Sequence, residues 1–336
     1  MIKALYDVCA PAKLNLFLHI NGRRDDGYHL IQSVFMLIDW CDTLHFELRG
    51  DGKITREDLG TALPADDLIV RAAHALQAAG GASVVAGKGA HIGVHKRIPA
   101  QAGMGGGSSD AASTLLALNR LWQLGLPLSK LASIGLKLGA DVPFFLHGRN
   151  AWVEGVGEKM TPVTVPEAQF VVAKPPGGVQ TATIFQHPDL KRDTPTAIIS
   201  GFAENPFGFG HNDLQNAAQG MCPGINQALA WLTRFDGVVD GAVVGGVNDG
   251  LNRGLNPVSN LVLNPVLKGR MTGSGSAVFA HVPGNLALRG DWPVAPENNW
   301  PVAPESNWPV APEGFQVRLC NNLQSHPLLG WAGSDE

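Results

Sequence analysis

The sequence predicts an α+β protein, and three observations support this prediction. Several segments alternate apolar and polar residues with the two-residue period of a half-buried β-strand, whereas others repeat apolar residues at helical spacing. A glycine-rich loop joins one of these strands to one of these helices. The chain has 336 residues, of which 45% are hydrophobic and 16% charged, so it suffices for one large globular domain or two ordinary ones.

The first strand is predicted after Pro11, where leucine or isoleucine occupies every second position. Lys13 and Asn15 then share the face opposite these core residues. The polar stretch NGRRDDGYH follows as a loop, and SVFMLIDWCDTLHFEL predicts one or two further strands. The segment DDLIVRAAHALQAAG predicts a helix that ends at its final glycines, Gly80 and Gly81.

The glycine-rich stretch RIPAQAGMGGGSSDAAS, residues 97–113, follows the strand-like AHIGVHK and leads into a helix. It lacks the lysine that a Walker A loop needs after its last glycine, and it lacks the spacing of a dinucleotide-binding fingerprint. Backbone N–H groups of glycines and the positive end of the following helix suit a phosphate. A flexible surface turn is the alternative, and glycine content favours neither. The serine hydroxyls could cap the helix, contact phosphate or reach magnesium.

The next helix is predicted over SKLASIGLKLGADVP, with Ser129 as its N-cap and Gly139 as its end. Asp141 then lies in an exposed turn. In the second half, QFVVAKPP predicts a strand, GINQALAWLTRF a helix, and RMTGSGSAVFAHV a loop that leads into another strand. Asn212 and Asp213 of HNDL either cap a helix or belong to a functional motif.

Two segments do not fit this plan. Residues 236–269 are rich in Gly, Asn and Val and nearly free of charge, which indicates an inserted loop, with or without a hairpin. Residues 291–313 repeat an eight-residue unit, WPVAPENN, with two prolines in each unit. This composition predicts an extended polyproline-like linker, and a peptide ligand for an aromatic groove is the second interpretation.

Charge and cysteine usage restrict the expected partners and location. The formal net charge of −4 leaves no basic footprint for nucleic acid or an anionic membrane, so small molecules are the expected partners. The four cysteines form no CxxC pair and are expected to be reduced core residues. No signal peptide or transmembrane stretch is recognisable, so we expect a cytoplasmic protein. His91 and His95 lie on a predicted strand, which argues against a metal site there.

Five segments occur in the order found in GHMP kinases: PAKLNLFLHI, DGYH, IPAQAGMGGGSSDAA, GADVPFF and RMTGSGSAVFA. The chain resembles these kinases, and within them the family that phosphorylates 4-diphosphocytidyl-2-C-methyl-D-erythritol. The resemblance covers residues 6–235, resumes at 270–282 and returns near the C-terminus.

The resemblance implies a two-domain GHMP kinase fold. Residues 1–160 are expected to form an N-terminal ATP-binding domain, in which a mixed sheet and helices carry the glycine-rich loop. Residues 161–290 are expected to form a C-terminal ferredoxin-like α/β sandwich with an atypical insertion at 236–269. The repeat at 291–313 is then a linker and 314–336 a C-terminal tail. Monomer and homodimer both stay open.

The resemblance also implies the site residues. Lys13 and Asp141 are the expected catalytic pair. The expected ATP-binding residues form one stretch: Pro99, Ala100, Gln101, Ala102, Gly103, Met104, Gly105, Gly106, Gly107, Ser108 and Ser109. The expected substrate-binding residues are Asn15, Tyr28, His29, Thr181 and Phe185. The TGSG turn at 272–275 is expected to approach the site from the second domain.

The implied reaction is ATP-dependent phosphorylation of the substrate's 2-hydroxyl, in the methylerythritol phosphate route to isoprenoids. In a loose phosphoryl-transfer transition state, catalysis consists mainly of alignment and of stabilising spread negative charge. Asp141 is expected to orient the hydroxyl and accept its proton, and Lys13 to keep Asp141 ionised, while Mg²⁺ bridges the β- and γ-phosphates. The alternatives are another GHMP kinase, of the mevalonate or homoserine type, and a nucleotide-binding module without catalysis.

Overall fold

The computed structural model describes residues 2–81, 86–235, 267–283, 309–333 and 335. The N-terminal half contains β1 Ala4–Arg23, β2 His29–Arg49, β3 Ile54–Asp58, β4 Gly89–His95, β5 Ala151–Gly155 and β6 Lys159–Pro162, with helices α1 Leu68–Ala79, α2 Gly106–Leu121, α3 Leu128–Leu138 and α4 Val142–His147. The C-terminal half contains β7 Gln169–Lys174, β8 Arg270–Met271, β9 Val278–Val282 and β10 Gln316–Asn321, with helices α5 Thr181–Phe185, α6 Ile199–Glu204, α7 Gln215–Met221 and α8 Pro223–Leu232.

The N-terminal sheet has the strand order β3-β4-β2-β5-β6, and β1 pairs with β2 in antiparallel fashion along nearly its whole length. β3 runs parallel to β4, while the other pairs are antiparallel, which confirms the predicted mixed sheet. One apolar cluster packs helices α1 to α4 against this sheet, with Phe46 of β2 and Trp122 after α2 among its largest buried side chains. Burial of these side chains is the main force that holds the layers together.

The C-terminal sheet is antiparallel and has the strand order β10-β7-β9-β8. Ile225 and Trp231 of α8 pack against Val171 of β7 in one buried cluster. Another cluster joins the two sheets through Phe17 of β1 and Phe170 of β7. The two halves therefore share buried apolar surface beside the cavity described below.

β1 differs from the half-buried strand that its alternation predicts. It begins at Ala4, and residues on both faces are buried, since Leu14 is 0% exposed and Lys13 only 3%. The cause is tertiary packing of distant loops on the strand. The Lys13 N–H donates to the Met104 carbonyl at 3.0 Å, and the Asn15 N–H donates to Thr272 Oγ1 at 2.9 Å, so two distant loops cover this part of the strand.

Helix α3 corrects one prediction about a helix start. Its N-cap is Pro127, and Ser129 lies inside the first turn, so the assignment of Ser129 as N-cap was wrong. The Ser129 N–H donates to Asp335 Oδ1 at 3.1 Å, a partner near the C-terminus that local sequence does not reveal. The predicted helix ends at Gly139 and Gly80 are confirmed.

Most of the two unusual segments lies outside the described residues, which include only 267–269 of the predicted insertion and 309–313 of the predicted linker. All four cysteines are free, and Cys222 and Cys320 are buried as predicted, whereas Cys9 and Cys41 are only half-buried, so their placement in the core was wrong. Within the described ranges, no helix has both the length and the apolar character to cross a lipid bilayer.

Candidate active site

A cavity of about 1190 Å³ opens between the two halves of the molecule. Its walls are the glycine-rich loop, the start of α2, the loop before β2, the region of α5 and the turn at 272–275. The predicted site residues that line it are Lys13, Asn15, Tyr28, His29, Pro99, Ala100, Gln101, Ala102, Gly103, Met104, Gly105, Gly106, Gly107, Ser108, Asp141, Thr181 and Phe185. The topology thus brings together residues from widely separated parts of the chain.

Ser109 differs from the other predicted ATP-binding residues, because it does not line the cavity. It is fully buried, and its hydroxyl has no hydrogen-bond partner within the described part of the chain. Successive residues of an α-helix are rotated by about 100°, since a turn has 3.6 residues. Ser108 faces the cavity, so the next residue turns toward the core, and Ser108 is the serine placed to meet a ligand.

Lys13 holds its ammonium group inside the protein. Its Nζ lies 3.7 Å from Asp141 Oδ2 and donates a hydrogen bond to Asn15 Oδ1. The same atom lies 4.6 Å from the centroid of the Phe35 ring, which is a cation–π contact. Burial lowers the pKa of Lys13, and the neighbouring Asp141 carboxylate opposes that shift. Because water is largely excluded, this cation acts on neighbouring charge with little screening.

Asp141 is the member of the pair that a ligand can reach. Its side chain is 32% exposed, against 4% for Lys13. Helix α4 begins directly after it, and the buried side chains of Val142 and Phe145 fix the backbone that carries the carboxylate. A carboxylate with one open side and a buried cation behind it is suited to bind a hydroxyl and to accept its proton.

The glycine-rich loop leads directly into the N-terminus of α2. Gly105 is the N-cap in the left-handed conformation, with φ of 72°, and no side chain caps the helix, so neither serine takes that role. The first N–H groups of a helix have no partner within it, and here they belong to residues that line the cavity. Together with the positive end of the helix, this geometry favours an anion site over a surface turn.

Gly103 lies where this loop contacts the C-terminal half, and it has no room for a side chain. Its φ is +71°, and a Cβ there would lie 2.3 Å from the Thr272 carbonyl oxygen. We expect Gly103→Ala to lower the free energy of unfolding by about 1–3 kcal/mol, because the strained backbone and the steric clash both oppose folding. Urea unfolding measures this loss.

Gly107→Ala is the matched control for stability. Gly107 lies in helix α2, and its nearest neighbour would be Leu68 Cδ1 at 3.4 Å, an ordinary contact. Alanine is the better helix former by about 1 kcal/mol, so this variant should be as stable as the parent or more stable. An equal loss of stability in both variants would contradict the claim that the close contact between Gly103 and the backbone of Thr272 requires glycine.

The turn at 272–275 closes the site from the C-terminal half. Besides the bond between Asn15 and Thr272, Asn212 Nδ2 donates to the carbonyls of residues 271 and 273, at 2.8 Å each. Asn212 therefore holds this turn in place. Sequence reasoning did not find Ser33, whose hydroxyl accepts from Asn15 Nδ2 at 2.9 Å, because a lone serine on a strand carries no distinguishing pattern.

The aromatic rings of Tyr28, His29 and Phe185 line another part of the cavity, which is called the flat surface below. The His29 imidazole lies against the Phe185 ring, with centroids 4.9 Å apart and an angle of 31° between the planes. Tyr28 is 65% exposed beside them, and Thr181 Oγ1 lies 2.8 Å from Ser274 Oγ. Aromatic side chains arranged in this way offer a stacking surface for a planar ligand.

Two cations beside the cavity were missed by sequence reasoning. Arg192 Nε donates to His29 Nε2 at 3.1 Å. Lys96 lines the cavity and bridges Asp42 and Asp110, with its Nζ 2.5 Å from Asp110 Oδ2. Burial and the Asp42 carboxylate raise the pKa of Asp110, while Lys96 opposes the shift. The adjacent Lys96 and Arg97 before the loop were an available signal. The partners of Lys96, however, come from β2, which pairs with β4, and from helix α2, and these contacts are set by tertiary structure.

Comparison with known proteins shows which family the chain belongs to. Residues 67–149 match the GHMP kinases N terminal domain. A protein of Albidiferax ferrireducens named 4-diphosphocytidyl-2-C-methyl-D-erythritol kinase is 59% identical over 334 residues, which are 99% of this chain and 98% of that protein. The chain belongs to the 4-diphosphocytidyl-2-C-methyl-D-erythritol kinase family. A relative of the same name from Variovorax paradoxus is 56% identical and covers 98% of this chain and 100% of its own length.

Solved structures agree with this family membership. A crystal structure of 4-(cytidine 5'-diphospho)-2C-methyl-D-erythritol kinase is 30% identical, with a TM-score of 0.63 over 81% of this chain and 88% of that chain. The Methanococcus jannaschii mevalonate kinase has a TM-score of 0.56 at 12% identity, over 95% and 98% of the two chains. The second likeness shows a shared fold alone. The α+β GHMP kinase fold predicted from the five segments is confirmed.

Proposed function

We propose that this chain is an ATP-dependent kinase that phosphorylates the 2-hydroxyl of 4-diphosphocytidyl-2-C-methyl-D-erythritol, in the methylerythritol phosphate route of isoprenoid biosynthesis. The observation that carries the proposal is the pairing of Lys13 Nζ with Asp141 Oδ2, 3.7 Å apart, in a cavity that also contains an uncapped helix N-terminus. Phosphoryl transfer needs a phosphate cradle, a positioned hydroxyl and a compensating cation. The names of relatives more than 50% identical support the choice of substrate.

The glycine-rich loop is the proposed ATP site. The phosphates bind backbone N–H groups of Gly106, Gly107 and Ser108, and the N-terminus of α2 adds positive partial charge. A Walker A loop supplies its own lysine, whereas here the cation comes from Lys13 on β1. This division of labour explains why the loop contains no lysine after its last glycine.

The side chains near the glycine-rich loop offer oxygen atoms of the kind that Mg²⁺ binds. The ion prefers oxygen ligands and usually keeps several waters while it is bound by one or two carboxylates and by substrate phosphates. Ser108 brings a hydroxyl oxygen to the cavity, and we propose that it holds the ion, directly or through water, together with the phosphates of ATP. When bound, it neutralises charge on the β- and γ-phosphates.

The catalytic pair performs the proton transfer. Asp141 accepts a hydrogen bond from the substrate hydroxyl and orients its oxygen toward the γ-phosphorus. It takes the proton as the new P–O bond forms and the bond between the γ-phosphorus and the β–γ bridging oxygen breaks, which releases ADP. Lys13 offsets negative charge on the phosphoryl group in transit. Asn15 Oδ1 accepts a hydrogen bond from the ammonium group of Lys13. Asn15 is therefore proposed to hold the Lys13 cation in place as well as to bind the substrate.

The remaining substrate contacts lie at the flat surface. Tyr28, His29 and Phe185 are proposed to bind the cytosine ring, and Thr181 to contact the substrate beside the 272–275 turn. A pyrimidine base is planar, with a polar edge, so it matches stacking rings flanked by an imidazole. The distance between this surface and the catalytic pair is bridged by the diphosphate and the branched polyol of the substrate.

We also propose the domain division at 1–160 and 161–290, with a ferredoxin-like C-terminal domain. Numbering β7 to β10 from one to four, the sheet order is 4-1-3-2, which supports that topology. The linker at 291–313, the tail at 314–336, the cytoplasmic location and the choice between monomer and homodimer stay predictions.

The direct test measures ADP release from ATP with 4-diphosphocytidyl-2-C-methyl-D-erythritol, mevalonate and homoserine in parallel reactions. We expect saturable turnover with the cytidine substrate alone, and a phosphate monoester at its 2-position by ³¹P NMR. Turnover on mevalonate or homoserine without turnover on the cytidine substrate would overturn the proposal. ATP binding without turnover on any of the three would instead indicate a nucleotide-binding module.

A further inference from the structure

The Arg192 guanidinium is held rigidly beneath the flat surface. Its terminal nitrogens donate to the carbonyl oxygens of Phe185 at 3.2 Å, His187 at 2.9 Å and Leu190 at 2.9 Å. Its Nε donates to His29 Nε2 at 3.1 Å. Arginine has five donors, no acceptor and a proton that it does not release in proteins. The direction of the bond to His29 is therefore decided: Nε2 accepts and carries no proton.

This direction fixes the other nitrogen of the ring. A neutral imidazole has one N–H, and when Nε2 is the acceptor the proton lies on Nδ1. The charged groups that act on the ring are Arg192 and Arg23, and together with burial they lower the pKa of His29, so the neutral form persists below its usual range. No group among the described residues accepts a hydrogen bond from Nδ1, which leaves this donor for a ligand in the cavity.

We propose that Arg192 is a specificity-determining positioning residue, which holds His29 in the Nδ1–H tautomer and makes its imidazole a fixed donor toward the base of the substrate. This inference rests on the proposed cytidine substrate. Cytosine presents acceptors at N3 and O2, whereas uracil carries a proton on N3. A fixed donor that reaches N3, rather than the O2 acceptor that both bases share, therefore favours cytosine, because it leaves a uracil N3–H facing another N–H at the same position.

The tautomer is measurable without turnover. Long-range ¹H–¹⁵N spectra of the full-length ¹⁵N-labelled chain distinguish protonated from unprotonated ring nitrogens, and His29→Gln assigns the signals. We expect an unprotonated Nε2 in the parent and a shift toward Nε2–H in both Arg192→Met and Arg192→Lys, the second of which keeps a cation but loses the guanidinium. The same tautomer in the parent and in both variants would overturn the inference.

Arg23→Met is the matched control. Arg23 also lowers the pKa of His29 through its charge, but its Nε donates to the Gly27 carbonyl at 3.1 Å and not to the ring. We therefore expect the Nδ1–H tautomer to persist in this variant. A shift as large as that in Arg192→Met would assign the effect to charge in general and overturn the specific role of Arg192.

Binding of cytidine diphosphate as a function of pH separates this role from a structural one. At pH 8, Arg192→Met should bind it about tenfold more weakly than the parent, a change of about 1.4 kcal/mol. At pH 5.5, below the ordinary histidine pKa of about 6.5, the His29 ring of Arg192→Met gains a proton, because the variant lacks one of the charges that lower the pKa of this ring. Nδ1 then carries a proton in the variant as it does in the parent, so the affinities of the two proteins should become nearly equal.

The same loss of cytidine diphosphate affinity at both pH values would show that Arg192 acts only by holding the backbone carbonyls of residues 185, 187 and 190 in place, and would overturn the inference. The parent's preference for cytidine over uridine diphosphate should also decrease in Arg192→Met, and an unchanged preference would contradict the inference. Absence of cytidine diphosphate binding by the parent would instead count against the proposed function, while the spectra would still decide the tautomer.

Discussion

Replacement of Asp141 by asparagine should lower kcat by about 10²–10⁴-fold, the range expected when a positioned proton acceptor is lost. The amide keeps the shape of the side chain and can still bind the substrate hydroxyl, but it cannot take the proton. It also removes the negative partner that lies 3.7 Å from Lys13 Nζ. Steady-state ADP release with ATP and the cytidine substrate measures the effect.

ATP binding by Asp141→Asn should change little, because the phosphate cradle is built mainly from backbone of the glycine-rich loop. Calorimetric titration with ATP checks this expectation. Asp51→Asn serves as the control, since Asp51 pairs with Arg49 at the surface and does not line the cavity. Undiminished kcat in Asp141→Asn, or a loss of ATP binding as large as the loss of kcat, would contradict the role of Asp141.

Replacement of Lys13 by methionine should lower kcat by about 10²–10³-fold, as when one preorganised electrostatic group is removed from an active site. Methionine matches the length of the apolar stem but has no charge to offset the transferring phosphoryl group. Lys13→Arg should not restore activity, because the planar guanidinium differs in size and shape from the ammonium that contacts the Phe35 ring and Asn15 Oδ1. The same ADP release assay measures both variants.

The stability of Lys13→Met should behave differently from its activity. Burial lowers the pKa of Lys13, so the unfolded chain binds this proton more tightly, and the charged lysine disfavours folding at pH 7. This penalty decreases as pH rises from the pKa of Lys13 in the folded protein toward its pKa in the unfolded chain, which is about 10.4. Lys13→Met should therefore unfold at the same temperature as the parent or a higher one at pH 7, and the advantage should shrink at pH 9.

Thermal unfolding at the two pH values provides the measurement. A large loss of stability in Lys13→Met at pH 7 would mean that the buried ammonium supports the fold more than it opposes it. Loss of activity with retained stability is the expected pattern for a charge that is kept for catalysis, because buried ions can often be replaced by apolar groups without loss of stability.

Local patterns in the chain predicted several elements well. Alternation located β1 and β4, helical spacing located α1 and α2, and Gly80 and Gly139 marked helix ends correctly, because these signals act over a few neighbouring residues. The start of α3 was misplaced, since the Ser129 N–H donates to Asp335 near the C-terminus, a contact that local sequence does not reveal. The burial of Lys13 was not predicted either, because distant loops cover that face of β1.

By itself, the sequence determined the α+β class, the phosphate-compatible loop between a strand and a helix, and, through resemblance, Lys13 and Asp141 as the pair to examine. Only the tertiary structure decided that their charged atoms lie 3.7 Å apart, that Ser109 faces the core, and that Arg192 donates to His29. The physical reason is the separation along the chain over which each interaction acts. Backbone preferences and periodicity act between neighbours in the chain, whereas ion pairing, burial and tautomer selection depend on groups that only folding brings into contact.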